Sequence, residues 1–415
     1  MSDVLEKFAD TIYKCIRCGA CRAVCPTFGE ELSETAVARG RMALVEAVLT
    51  GKIGLTPAYE KAIFNCAMCG ACKANCPSGV DVPAVIEAAR AELVREKGSE
   101  QMLRYLARRS FKDKDATGNA FNMMRMGGAL YGPIAATPLG RYLPYQYRDL
   151  KRKLPKIPAK TLAKRIPAES NVERPRGRVA FYAGCVIYYV YPEIGEAAVR
   201  VLNKAGYDVL FVKDEVCCGK PLKSLGEQDE FIKLAKKNVE LLSALGCDRI
   251  LTACPTCALT LKEDYPKILG ESGEAGKLSN KVDDIGRFLA ADSDIISMLD
   301  GTGLSVTYHD PCHLNFGMGI KTEPRALIKA ATGGGLVEMA DPAWCCGFGG
   351  SFSFINYTLS GSISAKKAMT ILDTGADAVA TGCPGCMMHI DDALKQTGAK
   401  TMTLHTIQVI DKALK

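Results

Sequence analysis

Arg249-Ile-Leu-Thr-Ala253-Cys254-Pro255-Thr256-Cys257 sets an apolar run of strand length directly before a Cys-x-x-Cys pair. The same order returns at Ala378-Val-Ala-Thr381-Gly382-Cys383-Pro384-Gly385-Cys386. Working outward, Cys217-Cys218-Gly219 precedes the first pair and Cys345-Cys346-Gly347 the second, with Cys185 and Cys312 further upstream. Equivalent cysteines lie 127, 128 and 129 residues apart, so the chain contains an internal repeat almost in register. Each copy has further short apolar runs: Val179–Ala183 and Asp208–Val212 in the first, Leu304–Tyr308 and Leu336–Met339 in the second. Stretches of helical length such as Ile194–Ala205 and Phe231–Leu245 fall between them. Strands alternating with helices predict βαβ units and a parallel sheet. Cysteines that follow strands directly are expected at the carboxyl ends of the sheet, where open α/β folds bind ligands.

The N-terminal part reads differently. Cys15-Ile-Arg-Cys18-Gly-Ala-Cys21-Arg-Ala-Val-Cys25-Pro26 recurs as Cys66-Ala-Met-Cys69-Gly-Ala-Cys72-Lys-Ala-Asn-Cys76-Pro77. Three cysteines spaced by three, with a fourth before proline, form the bacterial ferredoxin run. The fourth cysteine reaches the other cluster in two-cluster proteins. This predicts one cubane [4Fe–4S] cluster on Cys15, Cys18, Cys21 and Cys76 and a second on Cys66, Cys69, Cys72 and Cys25. Zinc and disulfides are the alternatives, but zinc sites rarely use the triple spacing. Around the motifs the sequence is helical: Glu34–Thr50, Tyr59–Asn65, and a helix capped by Asp81 with Pro83 in its first turn. Val82, Ile86, Ala89 and Leu93 mark its apolar stripe.

Composition fixes the context. Nineteen cysteines with one tryptophan would mean disulfides in a small secreted protein, but the first residues lack a signal-peptide pattern. No run reaches the roughly 18 apolar residues of a membrane span. The most apolar stretch, 126–140, is interrupted by Gly127, Gly128, Pro133 and Pro138. The expected location is the reducing cytoplasm, with peripheral attachment to the cytoplasmic face of the membrane through a partner. The formal charge of +7 raises nucleic acid as a ligand. Each cluster with four thiolates carries roughly −2, so two of them offset about half of that excess. The basic residues are not interleaved with stacking aromatics, so nucleic-acid binding is excluded.

The spacing from one cysteine to Cys-Cys-Gly to Cys-x-x-Cys is 31 then 35 intervening residues in the first repeat, and 32 then 36 in the second. It resembles the cysteine-rich CCG domain. Two ferredoxin motifs followed by two CCG domains resemble a family of oxidoreductase subunits across nearly the whole chain. That family holds the D-type subunit of heterodisulfide reductase and the iron–sulfur subunits of glycolate oxidase, lactate dehydrogenase and anaerobic glycerol-3-phosphate dehydrogenase. Ala38-Arg-Gly-Arg-Met42 and Cys76-Pro-Ser-Gly-Val80 fit its hydroxyacid-oxidising branch. The resemblance implies an all-helical ferredoxin domain followed by two α/β CCG domains. It also implies one or two noncubane [4Fe–4S] clusters, on Cys185, Cys217, Cys218, Cys254 and Cys257, and on Cys312, Cys345, Cys346, Cys383 and Cys386. Where such clusters are present, these ten cysteines form a disulfide-cleaving centre; ordinary cubanes or a thiol or zinc site are the alternatives.

Two functions follow from the resemblance. In the first, a flavoprotein partner oxidises a D-2-hydroxyacid, lactate or glycolate, and this chain carries the electrons to quinone or another acceptor. In the second, a b-type cytochrome or flavoprotein supplies electrons and the CCG centres reduce a coenzyme M–coenzyme B type disulfide. The chain shows no flavin, nicotinamide or P-loop signature of its own.

Other residues are weaker candidates. His309, Asp310, His313 and His389 flank the second-repeat cysteines, as tuning groups or as satisfied polar residues. Lys220 and Lys223 read as solvated lysines or as contacts to an anionic substrate, Cys247 as a small buried hydrophobe, and Met123, Met124 and Met126 as core or contact surface. The expected domains are 1–100 (ferredoxin), 101–177 (a helical and basic, proline-rich linker), 178–290 and 303–415 (the CCG repeats). The basic strip from Arg148 to Arg178 reads as an extended segment lying over a surface, with or without a partner.

Overall fold

The structure is a computed structural model that describes residues 3–98, 102–135 and 155–414. Residues 148–154 of the basic strip and 136–140 of the apolar stretch lie outside the described residues. The chain is α/β, with an all-helical N-terminal part and two parallel sheets.

Helices Ala38–Leu49, Pro57–Phe64 and Val82–Lys97 form the N-terminal core around Met42, Val45, Ile63, Val85, Ile86 and Leu93. Asp81 caps the last of these as predicted, its carboxylate accepting from Ala84 N at 3.3 Å, with Pro83 in the first turn. Thr56 caps the second in the same way, ahead of Pro57. Helices Met102–Phe111 and Lys114–Ala135 then lead away from this core. On the second of them Met123, Met124 and Met126 are exposed, so they belong to the surface rather than the core.

The first sheet contains β1 (Glu169–Ser170), β2 (Gly177–Phe181), β3 (Tyr207–Phe211), β4 (Arg249–Thr252) and β5 (Val282–Asp284), in the order β1-β3-β2-β4-β5. Only the β1–β3 pair is antiparallel. The second sheet contains β6 (Val306–Tyr308), β7 (Ala378–Thr381) and β8 (Met402–His405), all parallel, in the order β6-β7-β8. Strands β2, β4 and β5 therefore have β6, β7 and β8 as counterparts, so the sequence repeat is also a structural repeat. The residues of β6 and β7 are wholly buried and those of β2 and β4 mostly so, as expected for parallel strands covered on both faces.

One expected strand is absent. Leu336–Met339 makes a single bridge, Leu336 to Val306, where its counterpart β3 pairs along its length. The segment is entered through Gly333-Gly334-Gly335, and Glu338 turns out to meet Arg325 at 2.7 Å. Asp341 then takes a left-handed backbone (φ 48°), which ends any extended run.

The repeats pack against each other and on the N-terminal part. The final helix, Thr406–Ala413, lays Ile407 and Ile410 into the core of the first repeat, and Asp411 clamps Arg200 at 2.6 and 3.0 Å. At the other joint, Arg90 of the N-terminal core donates to Ser224 O at 2.8 Å. Gly226 approaches the Arg90 carbonyl so closely that a Cβ there would lie 2.4 Å from it.

Candidate iron–sulfur sites

The two ferredoxin loops have matching backbones. Gly19 and Gly70 are left-handed (φ 87° and 79°), and so are Arg17 and Met68 two residues earlier (φ 56° and 54°). A left-handed backbone at non-glycine residues is uncommon, and its repetition marks one loop shape used twice. One cavity is lined by Cys15, Cys18, Cys21, Cys72 and Cys76, and a second by Cys25, Cys66, Cys69 and Cys72. Cys25 and Cys76 thus each face the other motif's loop. Backbone N–H groups point at the sulfurs, Val80 N at Cys76 and Met68 N at Cys66, both at 3.4 Å. Arg41, fully buried, holds this frame together by donating to Ala62 O, Asn65 O and Thr27 Oγ1.

In the first repeat Cys185 follows β2, Cys217 and Cys218 follow β3, and Cys254 and Cys257 follow β4. Cys217 Sγ lies 3.9 Å from Cys185 Sγ, while Cys218 and Cys254 both contact Cys257. The structure brings all five together. Gly184 is required at this point: it is left-handed (φ 72°), and a Cβ would sit 2.6 Å from Cys257 Sγ. Its N–H and that of Ala183 donate to Glu215 at 2.6 and 2.9 Å, fixing the turn that presents Cys185. In the second repeat Cys346 Sγ lies 3.2 Å from Cys386 Sγ, Cys345 contacts Cys346, and Cys383 contacts Cys386. Cys312 faces Cys345, Cys346 and Cys383. The Cys-Cys-Gly glycines are left-handed in both copies, where a Cβ would strike Phe231 or Ser360 O.

The groups also meet one another. Cys69 of the N-terminal part contacts Cys345 of the second repeat, and Cys383 faces Cys254 across the joint between repeats.

No two of the nineteen cysteines are joined in a disulfide. Burial pushes the thiols of Cys72 and Cys312 well above their ordinary range, and neighbouring thiols push them further. So many thiols, buried within contact of each other, cannot ionise together without cations to offset the charge. Metal binding supplies that charge and deprotonates the ligands. The donor set, all soft sulfur, suits iron–sulfur clusters.

Several sequence candidates take definite places. Asp310 forms a two-pronged pair with Arg325 at 2.8 and 2.9 Å. His313 Nδ1 meets Thr256 Oγ1 of the first repeat, and His389 Nε2 meets Ser360 Oγ, each at 2.9 Å. His309 lies beside Cys346 and Cys386. Cys247 is buried, its thiol directed at Leu245 O, away from either site.

Lys220 and Lys223 are neither solvated nor open to a substrate. Lys220 reaches Glu87 at 2.7 Å and Asp264 at 3.0 Å, and Lys223 reaches both at 2.7 Å. This network ties the N-terminal helix to the Cys-Cys-Gly turn and to the π-helical turn Thr260–Asp264. Burial alone would raise the Asp264 carboxyl, but the two ammonium groups overcome it and hold it down to about 2. Lys220 is opposed by burial too, and its acidic partners hold its pKa above the ordinary lysine value. A depressed carboxyl contributes stability that is lost as pH falls below about 4, and a raised ammonium one that is lost as pH rises beyond about 10. Asp264→Asn is therefore expected to cost on the order of 3–5 kcal/mol, by leaving two buried ammonium groups short of a partner. That cost should be constant between roughly pH 5 and pH 9, where Asp264 and Lys220 both stay charged. Denaturant unfolding of both proteins at a series of pH values checks it.

Comparison with known proteins agrees with this layout. The cysteine-rich domain family matches residues 179–262 and 306–391, and the 4Fe-4S dicluster domain family matches 11–80. One subunit of the fumarate reductase (CoM/CoB) of Methanothermobacter marburgensis is 31% identical over 98% of this chain and 74% of its own length. The chain belongs to the CCG iron–sulfur subunit family. This CCG-family subunit is also 28% identical to the probable glycolate oxidase iron–sulfur subunit of Bacillus subtilis, over 97% of this chain and 94% of that one. It is 26% identical to the D-type subunit of the dihydromethanophenazine:CoB–CoM heterodisulfide reductase of Methanosarcina barkeri, over 96% and 93%. Its relatives are subunits of oxidoreductase complexes, and its two domain types are those of iron–sulfur proteins. Among the described residues no helix is long and apolar enough to cross a membrane.

Proposed function

We propose that this chain is the electron-transfer subunit of a complex in which a flavoprotein oxidises a D-2-hydroxyacid such as lactate or glycolate. The observation that carries this reading is the likeness to the glycolate oxidase iron–sulfur subunit, which runs nearly end to end in both chains. Hydroxyacid oxidation releases two electrons and two protons, and the partner takes both. Iron–sulfur clusters bound here supply one-electron carriers. Cys15, Cys18, Cys21 and Cys76 hold one cubane, and Cys25, Cys66, Cys69 and Cys72 the second. The five cysteines of each CCG repeat hold the others, as noncubane clusters. The Cys69–Cys345 contact, and Cys254 facing Cys383 across the joint, support a continuous route from the N-terminal domain (1–100) through the second repeat (303–415) to the first (178–290). The acceptor is a quinone or another carrier, and the complex sits peripherally on the cytoplasmic face of the membrane.

The retention of all ten CCG cysteines favours a second reading, reduction of a coenzyme M–coenzyme B type disulfide with electrons from a b-type cytochrome. Anaerobic purification from the native source separates the two. A co-purifying flavoprotein, with D-lactate or glycolate bleaching the iron–sulfur absorbance, is the expected result. A b-type haem partner, with the reduced complex reoxidised by the heterodisulfide and indifferent to hydroxyacids, would overturn it.

A further inference from the structure

The two five-cysteine sites have different surroundings. Tyr182 stands in the first repeat where His309 stands in the second, 127 residues on, and Asn238 where Lys367 stands, 129 residues on. In the first repeat these side chains close on neutral partners. Tyr182 Oη donates to Val216 O at 2.7 Å, and Asn238 donates to Tyr265 Oη at 2.9 Å and Cys217 O at 3.2 Å while accepting from Val216 N.

The second repeat closes less completely. Lys367, buried mid-helix, donates to Asp341 O at 2.7 Å. His309 is 1% exposed, and its Nδ1 lies 3.1 Å from Pro342 O. A carbonyl only accepts, so Nδ1 carries the proton and Nε2 is left with a lone pair. Among the described residues Nε2 has no hydrogen-bond partner. Buried polar atoms are nearly always satisfied, so an orphan nitrogen wants an account. Its surroundings provide one: a ring nitrogen of His309, Cys346 Sγ and Cys386 Sγ lie within 4.8 Å of one another. Metal–sulfur and metal–nitrogen bonds of roughly 2.0–2.3 Å let one ion draw such atoms in with little movement. The Pro342 carbonyl on the far nitrogen is the outer partner that metal-bound histidines ordinarily have.

We propose that His309 Nε2 is a nitrogen ligand of the metal centre in the second repeat, beside Cys346 and Cys386, while the first repeat's centre is held by cysteine alone. This rests on the reading that the CCG cysteines bind a metal centre. A neutral imidazole adds no negative charge, so an iron that counts His309 among its ligands is easier to reduce than one whose protein ligands are all thiolates. The second repeat is then reduced before the first, and the repeats hold electrons unequally.

The test uses the full chain, loaded with iron and sulfide anaerobically, with its histidines labelled with 15N. Pulsed electron paramagnetic resonance should find a strong nitrogen coupling that changes with the label and is lost in His309→Tyr. Tyrosine is chosen because the first repeat already accommodates it at this position. The variant should also show a downward shift in one midpoint potential. His313→Gln and His389→Gln should leave the coupling in place, and His405, the one other histidine, has both ring nitrogens engaged, by Ala253 O and Ile407 N, which decides the assignment even if His309→Tyr fails to accumulate. Full iron content without label-sensitive coupling, or a coupling that survives His309→Tyr or is lost with His313 or His389, would overturn the proposal alone. Iron limited to the two ferredoxin-type clusters, about eight atoms per chain, would overturn it together with the reading beneath it.

Discussion

Cys25→Ala is expected to cost the protein one cluster, and the cluster lost should be the one belonging to the distant second motif. Cys25 is four residues from Cys21, yet it lines the cavity of Cys66, Cys69 and Cys72. Its sulfur is buried, held between Thr27 Oγ1 at 3.3 Å and Ala36 O at 3.4 Å, so no neighbouring side chain can swing in to replace it. A cubane short of one thiolate, in a site shaped for four, should be lost or degraded. Iron and acid-labile sulfide would fall by about four atoms each per chain. The spectrum of the variant should match that of Cys69→Ala and differ from that of Cys15→Ala. Cys76→Ala should show the reverse pairing. A match between Cys25→Ala and Cys15→Ala would mean that each motif binds its cluster alone.

Arg90→Met should weaken both the fold and the hold on a cluster. The guanidinium is 1% exposed and donates to Ile63 O at 3.0 Å, Cys66 O at 2.7 Å and Ser224 O at 2.8 Å, lying 4.9 Å from the Phe64 ring. Burial lowers its pKa to about 10, which still leaves it charged at neutral pH. Methionine fills similar space but strands three carbonyls, each worth about 1–3 kcal/mol when left unpaired in the interior. A loss on the order of 3–5 kcal/mol is expected, a large part of a domain's whole stability. Because one of those carbonyls belongs to Cys66, the variant should also surrender iron to a chelator faster than the wild type. Urea unfolding and chelation kinetics measure the two effects. Unchanged values in both would mean that neighbouring donors take over the carbonyls.

The grouping of the cysteines was legible because their motifs recur at fixed spacings, and the α/β character because short apolar runs preceded them. What the spacings could not reveal is which polar residues are carried inside. Arg90 and Lys367 illustrate the signal that was available. Arg90 lies in the buried series Val82, Val85, Ile86, Ala89, Arg90, Leu93, and Lys367 in Ser360, Ile363, Ser364, Lys367, Ala368, Ile371. A lone cation on the apolar stripe of a helix must be buried if the helix packs, and therefore must find carbonyls or acids. Lys220 and Lys223 gave no such hint, because their partners Glu87 and Asp264 are more than forty residues away in either direction. Leu336–Met339 had the composition of its counterpart β3, but the glycines before it and the left-handed Asp341 after it deprived it of a partner along its length.

The last helix has a consequence for how the protein is made. Ile407 and Ile410 complete the core of the first repeat, although some 200 residues separate them from Ile194 and Leu202. While the chain is being synthesised, that repeat emerges early but waits for 406–413 before its apolar face is covered. A ribosome stalled shortly before this helix would hold the first sheet assembled but still greasy on a flank.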